Sequence, residues 1–553
     1  MINRKRIVLF ALSMLFITAA SAQATPQPES DITVKRLAYL CKVWGFVKYY
    51  HPGVTSEKVN WDQALIKSIA PVMKSQNKAE FNEVIDHMLV AADSSKPVLK
   101  TSTDGKFQLS PELAWIQDSG MFENNVIQRL DDILLNYSCG GEIYKYNKFG
   151  FIVFKGEEAY LDMVYPNQEY RLLSLFRYWN TINFFYPYKD LIGENWSNTL
   201  YEFIPRMISA KDSLDYHLGI LELTTHIRDG QGNICSTNSN VMENYFGRYY
   251  PPIWVDLVEG KTVVTRIFSD SVKNIIKVGD VITSIDGIDI ADYRTRIGKY
   301  ICASNEAGTQ KFIDWYVLLG SAGSTMKLVL NDNKAPIELK RNTDFFSIEF
   351  PAADLIKIVD GKYGYINFDR ITSNRDIRKT FKILKGTEGV IVDIRNGTGN
   401  YKIDYFSRFI SPENKPYIKW NIPNPNCIGS FYNIVEKTSK KSSGKKYKGK
   451  VVLLIDENVQ SDTETACMLF QTCQQVTLIG TPTAGANGYM ALIQLPGGIR
   501  TGFSVMGVYY PNGKTNQRTG IQPDIYAANT VEYVREGRDM IIERAIEFLK
   551  TGK

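Results

Sequence analysis

The sequence predicts an α+β, multidomain protein with a helical N-terminal region, a small β module and an α/β core. Three observations carry this reading. An internal duplication comes first: "RLAYLCKVWGFVKYYHP" from Arg36 aligns without a gap with "RLLSLFRYWNTINFFYP" from Arg171. The alignment places Trp44 on Trp179 and Pro52 on Pro187, and further on Trp61 of "VNWDQAL" falls on Trp196 of "ENWSNTL". From Pro251 the texture changes to short β-runs, and after about Lys362 strands alternate with helices, the signature of a largely parallel sheet.

The chain has 553 residues, more than one hydrophobic core serves, so two to four domains are expected. Residues 1–22 read as a secretory signal peptide. Asn3-Arg4-Lys5-Arg6 forms a basic start, Ile7 to Ala20 an apolar stretch, and Ala20-Ser21-Ala22 a small-x-small cleavage site. The mature chain is then expected to begin near Gln23 and to be exported, to a periplasm or beyond. No cysteine follows the apolar run to carry a lipid anchor, and no other run approaches the ~18 apolar residues of a membrane span.

The net charge of +6 is modest for this size and partly concentrated in the basic loop Glu436 to Lys450, which argues against a nucleic-acid binder. Seven cysteines with no CxxC pair and only four histidines argue against a zinc site. No metal and no cofactor is expected.

Residues 31–96 and 166–245 hold the two helical copies. Their aromatic residues fall at helical spacing and read as packing core. Between them, 97–165 contains strand-like runs such as "KFGFIVFKGEEAYLDMVY" and is expected to form a small β element. Residues 250–345 form the β module. Its Gly279-Asp280 turn before Val281, Ile282 and Ile285, and its Asp286-Gly287 hairpin turn, resemble the strands of a PDZ domain, which grips an extended peptide or C-terminus by adding it to a sheet edge. Residues 355–553 form the α/β core.

Ligands of such a core collect at the carboxyl ends of its strands. Three ends are chemically loaded. "VDIRNGTGN" (Val392 to Asn400) ends one strand in a glycine loop whose N–H groups could hold an anion. "IDENVQS" ends the next and puts Ser461 where a helix starts. "IGTPTAGANG" ends a third, its small residues Gly485, Ala486 and Gly488 leaving room for a substrate backbone.

Ser461 has two readings. With Glu464 it spells S-x-x-E, a capping box in which the serine oxygen accepts a backbone N–H. Alternatively it is a nucleophile, with the N–H groups of Asp462 and Gly397 forming an oxyanion hole. An EF-hand at "DENVQSDTE" fails for want of the glycine and the closing glutamate, and "NGTGN" lacks the ending of a phosphate-binding loop.

The order of motifs decides between them. A signal peptide, a helical region, a PDZ-like module, "VDIRN-G-x-G", "S-x-x-E", "G-x-P-T-x-G-x-x-G" and finally "GIQPDI" (Gly520 to Ile525) resemble the tail-specific, or C-terminal-processing, serine peptidases, including their tricorn-core-like branch. The resemblance implies a core of the ClpP/crotonase fold, Ser461 as nucleophile, and polypeptide substrates that are unfolded or present a free C-terminus.

It also marks where this chain departs. One branch of the family carries its base as a lysine that would fall on Ala486, supported by a glutamine that would fall on Met490. The other uses a histidine where "HIRDGQGNI" has Gln231, and a supporting glutamate aligns with Gln517. Glutamine orients groups but cannot take a proton near neutral pH. His226 reads as structural, and Asp456, Glu457, Asp462 and Glu464 as orienting acids. Two functions follow: a serine-type endopeptidase, or a homologue without turnover that binds peptides. A carbohydrate-binding surface, resting on exposed aromatics in the helical copies, is a third.

Overall fold

The computed structural model describes residues 28–56, 59–93, 112–136, 144–146, 152–237, 239–331, 333, 335–348, 354–395, 402–424, 428–439 and 446–553. The segment 1–22, read above as a signal peptide, and Gly397 lie outside the described residues.

Four helices carry the duplication: α1 (Pro28–Tyr50), α2 (Trp61–Lys74), α3 (Gln168–Phe185) and α4 (Asn198–Ile208). Asn60 starts α2 and Asn167 starts α3, each side-chain oxygen accepting a backbone N–H of the first turn. In the first copy the Trp44 indole donates to the carbonyl of Trp61 at 3.1 Å and the Trp61 indole to that of Trp44 at 2.9 Å. The second copy repeats the exchange between Trp179 and Trp196, at 2.9 and 3.1 Å. Equivalent residues also meet: α1 and α3 cross where a Cβ on Gly45 would lie 1.9 Å from the side chain of Asn180.

α3 is buried on nearly every face, as expected of a helix that is apolar all round. Trp44, Tyr49, Trp61, Tyr178, Trp179 and Trp196 are all interior. These six supply none of the exposed aromatic surface that a carbohydrate site required, and in the second copy Tyr201 and Tyr245 are exposed. At the centre the fully buried Arg177 pairs with Asp62 and Glu157, both at 2.7 Å, and donates to the carbonyl of Gln494 in the core at 2.7 Å.

The segment expected to be β is more helical. Asn124–Leu135 forms a helix, because Val126, Ile127, Leu130, Ile133 and Leu134 recur at helical spacing. Among the described residues of this segment, strand pairing is confined to Tyr144–Tyr146 with Ile152–Phe154. The following "AYLDMVY" run turns instead, with Tyr160 at φ 48°.

The β module is an antiparallel sheet of β1 (Ile253–Val258), β2 (Lys261–Ile267), β3 (Val281–Ile285), β4 (Thr325–Leu330) and β5 (Ile337–Lys340), in the order β5-β4-β3-β2-β1, with Ile288–Asp289 paired to β3. Helices α5 (Ile290–Gly298) and α6 (Glu306–Tyr316) join β3 to β4. α6 lies beside the edge strand β1. Its Asp314 carboxylate accepts the N–H of Leu257 at 2.9 Å and the Arg294 guanidinium of α5 at 2.6 Å.

The core sheet runs β6 (Ile356–Val359), β7 (Tyr363–Asn367), β8 (Gly389–Asp393), β9 (Lys450–Ile455), β10 (Val476–Gly480) and β11 (Ile525–Tyr526), in that spatial order. Every pair but β6 with β7 is parallel. Helix α7 (Asp462–Phe470) packs in the core on one face and α8 (Met540–Thr551) in that on the other, so β8 and β9 are buried, near-continuous apolar runs.

A hairpin of Met490–Leu495 and Ile499–Ser504 leaves this sheet and takes a third strand, Ile234–Ser236, from the helical region. Its Ala491, Ile493, Leu495 and Phe503 are buried in the same cluster as the duplicated helices. Among the described residues, no helix is long and apolar enough to cross a membrane.

Candidate active site

Ser461 sits between the end of β9 and the first residue of α7 with φ 57° and ψ −126°. A non-glycine residue held there costs on the order of 1–3 kcal/mol, so the surroundings must impose it. They do so through the main chain. The Ser461 N–H donates to the carbonyl of Ala486 at 3.0 Å, and the Ser461 carbonyl accepts from Glu464 at 2.9 Å and Thr465 at 3.2 Å. Such a strained strand-to-helix turn is the geometry that presents a nucleophilic serine.

The capping box that S-x-x-E offered as the alternative reading does not form. Ser461 Oγ caps nothing. Glu464 is fully buried and turns instead to the 480–488 loop, where its carboxylate accepts from the Thr483 hydroxyl and from the N–H groups of Gly485 and Ala486, both at 3.0 Å. Burial pushes its carboxyl up to about 7, against the pull of those donors. Among the described residues the N–H of Asp462 meets no acceptor, which leaves it available at the helix start.

Gly485, Ala486 and Gly488 do not leave room for a substrate. Gly485 has φ 63°, and a Cβ there would lie 2.9 Å from the side chain of Asn305 and from the N of Gly520; beside Gly488 the carbonyl of Met506 would stand at 2.3 Å. The chain itself fills this space. Ala486 is buried, with its N–H on Glu464 and its carbonyl on Ser461. These residues hold Ser461 in place.

The loop carrying Gln231 is brought to the same point. Asp229 is completely buried and accepts the N–H of Ser504 at 2.6 Å, the Ser504 hydroxyl at 3.1 Å and the N–H of Gln231 at 3.2 Å. The Gly230 N–H donates to Ser304 Oγ at 3.0 Å and its carbonyl accepts from Gln460 at 3.4 Å. A Cβ on Gly230 would lie 2.8 Å from that of Ala486. Gln517 is buried nearby, accepting the N–H of Asn487 at 3.2 Å and donating to Ser304 at 3.3 Å.

The fold thus gathers Ser461, Gln231, Gln517, Glu464 and Ala486 around one point, at the carboxyl ends of the core strands. The comparisons with known proteins bear on the same residues: the model of peptidase family S41 matches residues 362–527. The stretch 362–527 belongs to peptidase family S41.

Among solved structures, mature CPAF complexed with lactacystin is similar with 13% identity and a TM-score of 0.55, covering 69% of this chain and 98% of that one. A mutant of CPAF gives 11% identity and 0.56 over 69% and 98%. The photosystem II D1 C-terminal processing protease gives 16% identity and 0.39 over 65% and 93%. At these identities the CPAF likeness shows a shared fold. No curated protein sequence matches the chain.

The S41 core holds Ser461, Glu464, Ala486 and Gln517, whereas Gln231, Ser304 and Asp229 reach it from outside the match. His226 is not brought in. Its ring pairs with Glu194 at 3.1 Å and meets the Phe203 ring edge-on. Met490 opens the hairpin strand, and Asp456 and Glu457 line a cleft of about 600 Å³ between the S41 core and the β module.

Reading the sequence missed Lys311 of α6. It is 8% exposed, and its Nζ donates to Gln460 Oε1 at 3.1 Å, one residue before Ser461. No local signal could have found it, because α6 belongs to a different part of the chain. Ser304 and Asp229 escaped for the same reason.

Proposed function

We propose that the chain is an exported serine peptidase that cuts unfolded or C-terminally exposed polypeptides at Ser461. The observation that carries this reading is the strained turn at Ser461, which leaves Oγ uncapped beside the free N–H of Asp462. A serine that merely started a helix would need neither feature.

In this reading Ser461 Oγ attacks the scissile carbonyl, and the developing oxyanion is held by the Asp462 N–H and by one from the Gly397 loop. The PDZ-like module would take an extended end along the edge strand β1, next to α6, and feed the chain into the cleft. The basic start and apolar stretch of residues 3–20 support export.

A second reading is favoured by Gln231 and Gln517 together. Two neutral amides stand where the histidine branch of the family has its base and supporting acid, which suits a scaffold that binds peptides without cutting them. Incubation with an unfolded protein separates the two. Cleavage that disappears in Ser461→Ala establishes the peptidase. An inert wild type that gains cleavage in Gln231→His establishes the binding scaffold.

A further inference from the structure

Lys311 is a buried amine with no carboxylate in direct contact with it. Among the described residues it makes no ion pair, and its one side-chain hydrogen bond is the 3.1 Å contact to Gln460 Oε1. The rings of Phe312 and Trp315 lie 5.1 and 5.3 Å from Nζ. A buried ammonium without a directly paired carboxylate is expensive, so an amine kept in this position calls for a use.

α6 is also fixed to the site at its other end. Asn305 caps it and donates to the carbonyl of Thr483 at 2.8 Å, and Gly308 packs on the carbonyl of Ala484. Gln460 in turn reaches the carbonyl of Gly230 at 3.4 Å. Lys311 is therefore hydrogen-bonded to the residue before Ser461, and through Gln460 it is joined to Gly230, which packs on Ala486.

We propose that Lys311 is the general base for Ser461, supplied by α6 in place of the lysine missing at Ala486 and the histidine missing at Gln231. This rests on the peptidase reading above. The amine exchanges Gln460 Oε1 for Ser461 Oγ, one residue along the chain. Neutral Lys311 accepts the Oγ proton as Oγ bonds to the substrate carbonyl carbon. The resulting ammonium passes that proton to the departing amine as the C–N bond breaks. Water then attacks the ester, giving a proton to Lys311, which returns it to Ser461 Oγ as the acid product leaves.

A base must be uncharged to begin. Burial lowers the Lys311 pKa from its ordinary value, while the carboxylates facing it, Asp456, Glu464 and Glu457, oppose that shift.

The test follows phosphonylation of Ser461 by a fluorophosphonate, together with cleavage of an unfolded protein, across pH in the full chain. The wild-type rate is expected to rise with pH through a single ionisation below the ordinary lysine range. Lys311→Arg keeps the reach to Gln460 but cannot give up its proton, and Lys311→Met keeps neither the reach nor a basic nitrogen. Both are expected to lose ~10²–10⁴-fold and the pH dependence with it. Ethylamine should restore part of the rate to Lys311→Ala, which a structural role does not allow.

An active wild type with Lys311→Arg unchanged in rate and pH profile overturns the assignment and leaves the peptidase intact. A wild type as inert as Ser461→Ala to probe and substrate alike overturns both.

Discussion

Ser461 and Ala486 are tied through one peptide unit on each side: the Ser461 N–H donates to the carbonyl of Ala486 at 3.0 Å, while the Ala486 N–H donates to Glu464, one turn into the helix that Ser461 begins. The strained serine and the 480–488 loop therefore move together, and the carboxylate of Glu464 is the clamp.

Glu464→Gln should loosen that clamp. An amide cannot accept from all three donors that the carboxylate serves, so at least one buried N–H loses its partner, at about 1–3 kcal/mol. Urea unfolding measures the loss. The fluorophosphonate rate should fall as well, because the turn at Ser461 relaxes.

The same residue sets a pH dependence. Its folded pKa of about 7 lies above the ordinary glutamate value. The unfolded chain therefore ionises first as pH rises. This contribution to stability is complete below about pH 4.3 and is lost as pH climbs towards 7, on the order of 3 kcal/mol in all. Thermal unfolding between pH 5 and 8 should show a shallower decline in Glu464→Gln than in the wild type.

Arg177→Met leaves Asp62 without its paired cation and Glu157 with Lys48 alone, at 2.7 Å. Removing one partner of a buried charged network costs about 3–5 kcal/mol. Because Arg177 also holds the carbonyl of Gln494, hydrogen exchange should quicken in the Met490–Leu495 strand as well as in the helices. Quickening confined to α3 would contradict this link.

Gly230→Ala places a methyl 2.8 Å from the Cβ of Ala486 and should slow Ser461 labelling while sparing the rest of the fold. Combining it with Ala486→Gly should recover the rate, giving a non-additive double-mutant cycle. Additive losses would mean that the two residues do not press on each other.

In Lys311→Met, adding Gln231→His should restore labelling of Ser461, since position 231 is held against the same space by Asp229 and Ser504. Labelling that stays absent places residue 231 out of reach of Ser461.

The sequence made some of this legible and hid the rest for physical reasons. Trp44 and Trp179 were visible because the duplication repeats a spacing, and the exchange of indole hydrogen bonds shows what that spacing serves. Ser461 was visible because strand, serine and helix follow one another along the chain. Glu464 left a cap reading open, because S-x-x-E spells the same acid whether its side chain folds back on the serine or reaches out to another loop. Gly485 and Gly488 looked like openings for a substrate, since a sequence cannot say whether a missing side chain makes room for a ligand or for the chain's own carbonyls. Lys311 was invisible because its relation to Gln460 exists only once the β module docks.

The third strand of the Met490–Ser504 hairpin has a consequence for how the molecule is made. Ile234–Ser236 pairs with Ile499–Thr501, so the first half of the chain leaves the ribosome with an open sheet edge and an unfilled apolar cluster. Both stay exposed until more than 260 further residues have been synthesised, a separation evident from Thr237 hydrogen-bonding to Gly498. Contacts this remote in sequence form slowly, and an unpaired edge invites aggregation meanwhile. The stretch from 362 to 527, expressed alone, would face the mirror image of that hazard.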